Sequence, residues 1–216
     1  MGMRSLFARN GTRWGAVAAV LMLSASVLRA ALPSARDEPD VSGPVSLAGQ
    51  LLIATPALNG PPFEHAVILV AQHSQNGALG IVINRPLGER PIADLLKAFG
   101  ADASGVTGTV QIFLGGPVDP EIGFVLHGTD YHGDNAVDID GRVALSSGPQ
   151  ILRAIGLGKG PREILVAFGY AGWAPLQLDN EMRQGVWDTV PDDPSLVFED
   201  DRTKVWSDAM ARYKAN

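Results

Sequence analysis

The sequence contains no cysteine, which excludes disulfides, Cys-ligated zinc, iron–sulfur clusters and thiol nucleophiles. It has no serine in a G-x-S-x-G pattern and no G-x-x-x-x-G-K-[ST] segment, so the nucleophile elbow and the P-loop are absent as well. Residues 156–160 (GLGKG) superficially resemble a phosphate-binding loop. They precede a predicted strand, however, whereas phosphate is bound by the N–H groups of a helix N-terminus. We therefore expect no catalytic residues of these types, no cofactor and no metal.

Basic residues are scarce in most of the chain. Of the 17 lysines and arginines, four precede Arg36, where there is no acidic residue; the other 13 accompany all 23 acidic residues, so this part carries a formal charge of −10. Its basic residues are scattered singly rather than clustered in a stripe. Because a phosphate backbone repels such a body, direct binding to DNA or RNA is disfavoured.

The N-terminus has the layout of a secretory signal. Three arginines in the first 13 residues precede residues 14–28, which are largely apolar and uncharged. That stretch is shorter than the roughly 20 residues of a spanning helix. Three alternatives to a secretory signal remain: a short membrane anchor, another targeting peptide, and a start codon set too far upstream. The protein is expected to be exported or membrane-anchored if the start is correct, and cytoplasmic otherwise. The predicted division is a signal-like or anchor segment at residues 1–35, a Pro/Gly/Ser-rich linker at 36–46 and a folded domain at 47–216.

The clearest structural signal lies in residues 64–86 (EHAVILVAQHSQNGALGIVINRP). Residues 66–71 form an unbroken apolar run, and residues 79–83 form nearly another. Between them, Asn76-Gly77 favours a tight hairpin turn. Because a half-buried strand would alternate polar and apolar residues, we expect both faces of this sheet to be covered by other elements.

The remaining elements are interspersed along the domain without a strict βαβ rhythm, which favours an α+β fold over a doubly wound one. A turn is predicted at residues 169–173, directly after a strand, and an exposed acidic loop at 129–141. The further predicted strands are 50–54, 110–114, 123–127, 142–145 and 163–168, and the predicted helices are 91–99, 149–155, 176–184 and one beginning after Asp201.

Histidines are the first candidates for chemistry. His127, Asp130, His132 and Asp134 fall within eight residues, but their spacing matches no standard metal motif, and an acidic surface loop is the favoured interpretation. His73 ends a buried strand beside the hairpin turn. It is either a general base or, as we favour, a histidine hydrogen-bonded to the backbone of the turn.

Two glycine-rich segments follow predicted strands: Gly115-Gly116-Pro117 and Gly169 to Trp173. Glycines there permit close approaches that a Cβ would prevent. Tyr170 and Trp173 either line a groove, with their rings as stacking surfaces, or fill the core, which is the favoured alternative.

From Gln50 onward these pieces together resemble the YqgE/AlgH family of bacterial proteins. The matching segments are residues 50–56, 63–64, 73, 76–80, 84–86, 115–118, 123–127 and 169–173, in this order. The resemblance covers about residues 47–213. It implies an α+β fold with a branched mixed sheet, partly closed into a small barrel and flanked by helices. It brings no established cofactor and no agreed catalytic residues. The family name suggests transcriptional regulation, although no DNA-binding motif characterises the family.

The chain departs from the family pattern twice. Many members have a cysteine where this chain has Ala71, so a thiol-based role cannot operate here. Members also usually begin near the equivalent of Gln50, without the basic and apolar extension.

Three functions follow as hypotheses. The first is a non-catalytic binding or regulatory domain for an unknown protein or small-molecule ligand. The second is a small hydrolase-like enzyme that uses His73 or His127 with a nearby aspartate. The third is a transcription factor, which the charge of −10 opposes. The candidate binding groove comprises His73, Asn84, Arg85, Gly115, Gly116, Pro117, His127, Tyr170 and Trp173.

Overall fold

The computed structural model describes residues 46–58 and 60–215. The strands in this part are β1 (Gln50–Ala54), β2 (Val67–Ser74), β3 (Gly77–Val82), β4 (Pro86–Pro91), β5 (Thr109–Leu114), β6 (Val118–Gly128), β7 (Val137–Asp138), β8 (Val143–Ser147), β9 (Ile164–Trp173) and β10 (Trp187–Pro191). The helices are α1 (Ile92–Ala98), α2 (Pro149–Gly156), α3 (Gln177–Arg183), α4 (Pro194–Val197) and α5 (Val205–Ala215). None of these five helices is long and apolar enough to cross a membrane.

The predicted signal or anchor segment lies outside the described residues, as does the linker except Ser46. The compartment therefore stays a prediction.

Strand β9 is where two branches of the sheet meet. The strands run in the order β10-β1-β2-β3-β9-β6-β8-β7, which places β3 and β6 on opposite sides of β9. On the β3 side, residues 171–173 of β9 pair antiparallel with β3, and residues 166–168 pair parallel with β5. Strand β4 extends the second branch. The sheet is therefore branched and mixed, as the family resemblance implied.

The sheet curls into a half-barrel around an inner core. Its strands β1, β2, β3, β5, β6, β8, β9 and β10 all contribute side chains to this core, and α4 and α5 cover it. The outer face of one branch packs under α3, and the outer face of the other packs under α1 and α2. In β2, Val67 and Leu69 belong to the inner core, whereas Ile68 and Val70 belong to the core under α3. The predicted α+β fold, with both faces of the sheet covered, is confirmed.

Strand β9 changes face at Gly169. Leu165 and Ala167 point into the inner core, and so does Tyr170, although strict alternation would place residue 171 there. Trp173 instead lies in the core under α3. Gly169 has a φ of 73° and coincides with a register shift against β6, which are the features of a β-bulge. The predicted turn at residues 169–173 was wrong: this segment continues the strand.

The β2–β3 hairpin also differs in detail from its prediction. Ser74 pairs with Gly77, so Gln75 and Asn76 form the two-residue turn. Among these four residues only Gly77 has a positive φ, of 122°. The hairpin itself is confirmed, but its turn lies one residue earlier than the Asn-Gly pair indicated.

Four short elements have no counterpart in the sequence predictions. They are β4, β7, β10 and α4, and β7 lies within the predicted loop at residues 129–141. Strand β4 begins and ends in proline and pairs only with β5, since an edge strand tolerates the missing N–H groups. Strand β10 is likewise an edge, paired only with β1. Because short edge strands carry no long apolar run, the periodicity of the sequence does not reveal them.

The strands at the two ends of the order, β10 and β7, do not pair with each other in the described part of the chain. A cluster of charged side chains lies between these edges instead. Asp192 directly follows β10 and is buried, and Arg142 Nη2 lies 2.6 Å from both Asp192 Oδ1 and Asp140 Oδ2. The N–H of Asp192 donates to the carbonyl of Gly49 at 2.9 Å. An ionic cluster thus joins the start of β1, the end of β10 and the turn before β8.

The two carboxyl groups of this cluster titrate in opposite directions. Burial, followed by hydrogen bonding and repulsion with Asp140, raises the pKa of Asp192 to about 7. Burial alone would also raise the pKa of Asp140, but hydrogen bonds from Asp192, Arg142 and Val143 hold it below its usual value. Between pH about 4 and 7, the native state therefore binds a proton on Asp192 that the unfolded chain has released. Its stabilising effect is complete below pH about 4 and is lost as the pH rises through 7.

We expect the free energy of unfolding of the Asp192→Asn variant to fall less than that of the wild type between pH 5 and pH 8, because an amide does not ionise in this range. The difference should be about 1–3 kcal/mol, at roughly 1.4 kcal/mol per pK unit. Urea unfolding at both pH values measures it. Asp134→Asn, at an exposed loop position, is the control and should follow the wild type; parallel curves for Asp192→Asn and the wild type would contradict the assignment.

A second prediction concerns the bulge of β9. A Cβ at Gly169 would lie 2.4 Å from the Gly116 carbonyl oxygen, whereas a Cβ at Gly141, which has a similar positive φ of 83°, meets nothing within 4 Å. Alanine at either position should cost about 1–2 kcal/mol of backbone strain. We expect Gly169→Ala to lower the free energy of unfolding by at least about 2 kcal/mol more than Gly141→Ala, because the backbones at Gly169 and Gly116 must also move apart. Equal free energies of unfolding for the two variants would show that the close approach is unimportant.

Candidate functional site

His73 lies at the end of β2 and is almost completely enclosed: its side chain is 2% exposed. The N–H of Leu47 donates to its Nδ1 at 3.1 Å. Since Nδ1 is therefore an acceptor, the proton of the neutral ring sits on Nε2, which faces Asp179 Oδ2 at 3.4 Å. Both nitrogens are engaged, so the ring ties the start of the domain and α3 to the hairpin. As placed, it has no free lone pair for general-base catalysis.

Trp173 also helps to hold α3 against the sheet. Its Nε1–H donates to Glu181 Oε2 at 2.9 Å, and Trp187 donates to the same oxygen at 2.8 Å. Gln177 Nε2 donates to the other carboxylate oxygen at 2.9 Å. Both indole rings are buried and pack edge to face, with centroids 6.2 Å apart. Glu181 thus joins α3 to β9 and β10, and Trp173 fills the core rather than lining a groove.

Replacement of Glu181 by Ala should destabilise the protein by about 2–4 kcal/mol, because it leaves two buried indole N–H groups without their acceptor. Glu121→Ala is the matched control, since Glu121 is exposed on β6; its effect should stay within about 0.5 kcal/mol. Chemical unfolding followed by tryptophan fluorescence measures both. Similar costs for the two variants would contradict the role of Glu181.

His127 is fully buried in the half-barrel wall. Its Nδ1 faces the Gly128 carbonyl at 2.8 Å and must donate, and its Nε2 lies 2.9 Å from Ser146 Oγ, which then donates to it. Burial lowers the pKa of His127, which favours this neutral form. Ser146 is itself only 3% exposed, and the ring of Tyr131 packs edge-on against the imidazole at 5.6 Å. The serine–histidine pair therefore lies inside the fold, away from solvent.

The loop that follows His127 does not gather its side chains into a metal site. Asp130 accepts from the backbone N–H of Arg162 at 3.3 Å and lies 3.8 Å from its guanidinium. Across residues 46–58 and 60–215, no three His, Asp or Glu side chains are close enough to hold a metal ion.

The two glycine-rich motifs meet each other in space. The N–H of Gly115 donates to the Phe168 carbonyl at 2.8 Å, and the carbonyl of Gly115 accepts from Val82 N–H at 2.8 Å. A Cβ at Gly116 would lie 2.0 Å from the carbonyl carbon of Tyr170. Pro117 follows at an exposed position. These residues fasten the branches of the sheet at β9, which is a structural role.

Tyr170 lies on the other face of β9 from Trp173. Its ring packs against the inner core and edge-on to Phe124 at 6.0 Å, and its hydroxyl donates to Asp119 at 3.3 Å. The nine residues of the candidate groove therefore do not line one surface: they divide among the α3 junction, the half-barrel wall, the junction at β9 and a fourth place, at Asn84 and Arg85.

Asn84 and Arg85 border an open cleft of about 280 Å³ at one end of the half-barrel. We call it the Arg85–Arg202 cleft. It is lined by His65, Asn84, Arg85, Pro86, Arg202, Thr203 and Trp206.

Asn84 shapes one wall of this cleft. Its Oδ1 accepts from Val67 N–H at 3.0 Å, and its Nδ2 donates to the His65 carbonyl at 2.8 Å. These bonds hold the start of β2 and His65 against the segment after β3. His65 has a φ of 53°, a left-handed conformation that a residue with a Cβ rarely adopts. Such strained residues cluster at functional sites, and this one is held in place at the rim of the cleft.

Two arginines supply the charge of the cleft. Arg85 donates to the Glu64 and Asn84 carbonyl oxygens. Arg202 donates to the Val197 carbonyl at 2.8 Å, and its guanidinium lies 4.8 Å from the centroid of the Phe113 ring. Burial lowers the pKa of both side chains, opposed by the charges of Glu64 for Arg85 and of Asp200 and Glu199 for Arg202. Both remain cations at neutral pH, because arginine is protonated throughout that range.

Neither arginine has a carboxylate within 4 Å among the described residues. Four other arginines do: Arg142, Arg153, Arg162 and Arg212. A guanidinium has five N–H donors, and within residues 46–58 and 60–215 only three hydrogen bonds to the protein engage the two groups of the cleft. The lining of the cleft therefore carries two cations with unused donors and no acidic side chain, and the nearest acidic charges that act on them are those of Glu64, Glu199 and Asp200.

Sequence reasoning found Asn84 and Arg85 only through the family resemblance, and it missed Arg202, Thr203 and Trp206. These residues are more than 115 positions away along the chain, and only the packing of α5 against the half-barrel brings them to the cleft. His65 contacts the ring of Trp206, which is also distant in sequence, with centroids 4.4 Å apart.

The fold defines the protein as an α+β half-barrel domain of a known type. The solution structure of the AlgH protein from Pseudomonas aeruginosa has the same fold, with a TM-score of 0.68 and 33% sequence identity over 82% of this chain and 94% of that one. A crystal structure of a protein from Corynebacterium diphtheriae matches with a TM-score of 0.58, covering 83% and 90% of the two chains; at 23% identity it shows the fold alone.

The family follows from sequence as well. The family model described as AlgH-like matches residues 51–216, and the chain belongs to this family. A UPF0301 protein of Methylococcus capsulatus is 42% identical over 168 residues, which cover 78% of this chain and 92% of that protein. A UPF0301 protein of Rhodospirillum rubrum is 41% identical over 166 residues, covering 77% and 86%. The family predicted from the sequence motifs is confirmed.

Proposed function

We propose that this protein is a non-catalytic binding domain, and that it binds a small anion in the Arg85–Arg202 cleft. The observation that carries the proposal is the pair of partly buried guanidinium groups around one cleft without a carboxylate partner in the described chain. Buried cations are ordinarily paired, and guanidinium groups bind the oxygens of carboxylates and phosphates with directed hydrogen bonds.

The charge of the whole domain supports a small ligand rather than a nucleic acid. From Arg36 onward the chain carries −10, so the positive potential is local to the cleft and a long polyanion would meet repulsion around it. Any regulatory effect of the protein would then operate through ligand binding rather than direct contact with DNA.

The two histidines considered for hydrolysis support the non-catalytic part of the proposal. Both nitrogens of His73 and both nitrogens of His127 are engaged inside the fold. A general base needs a nitrogen within hydrogen-bond reach of a substrate, and neither ring presents one to solvent.

The binding test follows the side-chain Nε–H signals of arginine by NMR in the ¹⁵N-labelled full chain. Titration with inorganic phosphate, at an ionic strength held constant with NaCl, should shift the signals of Arg85 and Arg202 in a saturable way. Arg85→Lys and Arg202→Lys assign these signals, and each should weaken binding about 10-fold or more, since a hydrogen bond to a charged group contributes roughly 1.5–3 kcal/mol. Arg162, whose side chain is 92% exposed, is the control. No saturable shift, or the same shift at Arg162, would refute the anion site.

The non-catalytic part has its own test. The full chain is incubated with 4-nitrophenyl acetate and 4-nitrophenyl phosphate, and release of nitrophenol is compared with His73→Gln and His127→Gln variants. We expect no release above the uncatalysed rate. Release that disappears in either variant would establish the hydrolase instead.

A further inference from the structure

We propose that the anion bound in the Arg85–Arg202 cleft is carried on a planar ring, and that this ring packs against Trp206. The inference rests on the proposed function and specifies the class of ligand: an aromatic carboxylate or an aromatic phosphate ester. Both share an anionic head with several oxygens and a flat apolar body.

The aromatic wall of the cleft carries this inference first. Trp206 is half-buried, and its Nε1–H already donates to the Ala54 carbonyl at 3.0 Å. That bond fixes the orientation of the indole, so what the ring offers to the cleft is carbon surface. His65 lies beside it, tilted by 45° and exposed, and Pro86 is exposed on the same lining. Flat rings held in one orientation bind other flat rings with little loss of side-chain freedom.

The size of the cleft points the same way. Benzene is held by an engineered protein cavity of about 150 Å³, and one water molecule accounts for about 30 Å³ of liquid. The cleft of about 280 Å³ therefore has room for a single ring together with an anionic group. An inorganic ion alone would leave most of the apolar wall in contact with water and would gain nothing from it.

The two arginines determine the orientation of the ligand, because its anionic end should lie against them. Guanidinium groups present their N–H donors in a planar fork that matches two oxygens of a carboxylate or a phosphate. Arg202 is itself held over the ring of Phe113, and Arg85 is held by main-chain oxygens. The two groups are thus positioned before a ligand arrives, and the adjoining wall is apolar, so the structure pairs an anion subsite with a ring subsite.

The experiment compares ligands that differ only in the ring or only in the charge. The full chain is titrated with benzoate and acetate, with phenyl phosphate and inorganic phosphate, and with neutral benzamide, using the Nε–H signals of Arg85 and Arg202. Each aromatic anion should bind about 10-fold more tightly than its ring-free counterpart, and benzamide should cause no saturable shift. The stronger of benzoate and phenyl phosphate identifies the anionic head.

Variants of Trp206 test the ring subsite directly. Trp206→Phe keeps a ring and should retain most of the aromatic preference, whereas Trp206→Leu should abolish it and leave acetate and phosphate affinities within about 2-fold of the wild type. Both variants lose the hydrogen bond to Ala54, so a difference in affinity between them reports the effect of the aromatic ring alone. Equal affinities for aromatic and ring-free anions in the wild type would overturn this inference while leaving the anion site intact; absence of binding by any anion would overturn both.

Discussion

The half-barrel depends on a contact between backbones at Gly169. The bulge at this residue brings β9 against the segment after β5 so closely that a methyl group on Gly169 or Gly116 would overlap main-chain atoms. Without this approach, β9 could not pair with β5 along its first half and with β3 along its second half. The same bulge turns Tyr170 toward the inner core and Trp173 toward α3. The conformation of Gly169 therefore determines both how the sheet branches and which core Tyr170 and Trp173 pack into.

This arrangement explains why conspicuous residues are poor guides to function here. Histidine, tryptophan and tyrosine are versatile in binding and catalysis, but the fold uses them to fasten its parts: His73 and Trp173 hold α3 through two carboxylates of that helix. Asn84 joins β2 to β3. The polar groups of these residues are satisfied within the protein. The residues that we propose for ligand binding lie instead where elements end, around the Arg85–Arg202 cleft.

The sequence predicted the features that depend on local patterns and missed those that depend on long-range packing. Apolar runs of residues 66–71 and 79–83 predicted two strands buried on both faces, and the helix predicted at residues 91–99 corresponds to α1. Strand β4 was missed because an edge strand with a proline at each end shows no apolar alternation. Arg202 was missed because its neighbours in space are distant in sequence: its guanidinium lies over the ring of Phe113, and Arg85 borders the same cleft. The ionic cluster of Asp140, Arg142 and Asp192 was missed for the same reason.

The energetics of the cleft link its structure to its proposed role. Moving a guanidinium out of water has a free-energy cost that an ion pair or several hydrogen bonds must offset. For Arg85 and Arg202, carbonyl oxygens and one aromatic ring offset only part of it, since no carboxylate lies within 4 Å of either group in the described chain. An arriving anion would supply the missing interaction without requiring the arginines to move. The incomplete pairing of Arg85 and Arg202 is therefore the source of the affinity that we propose for the cleft.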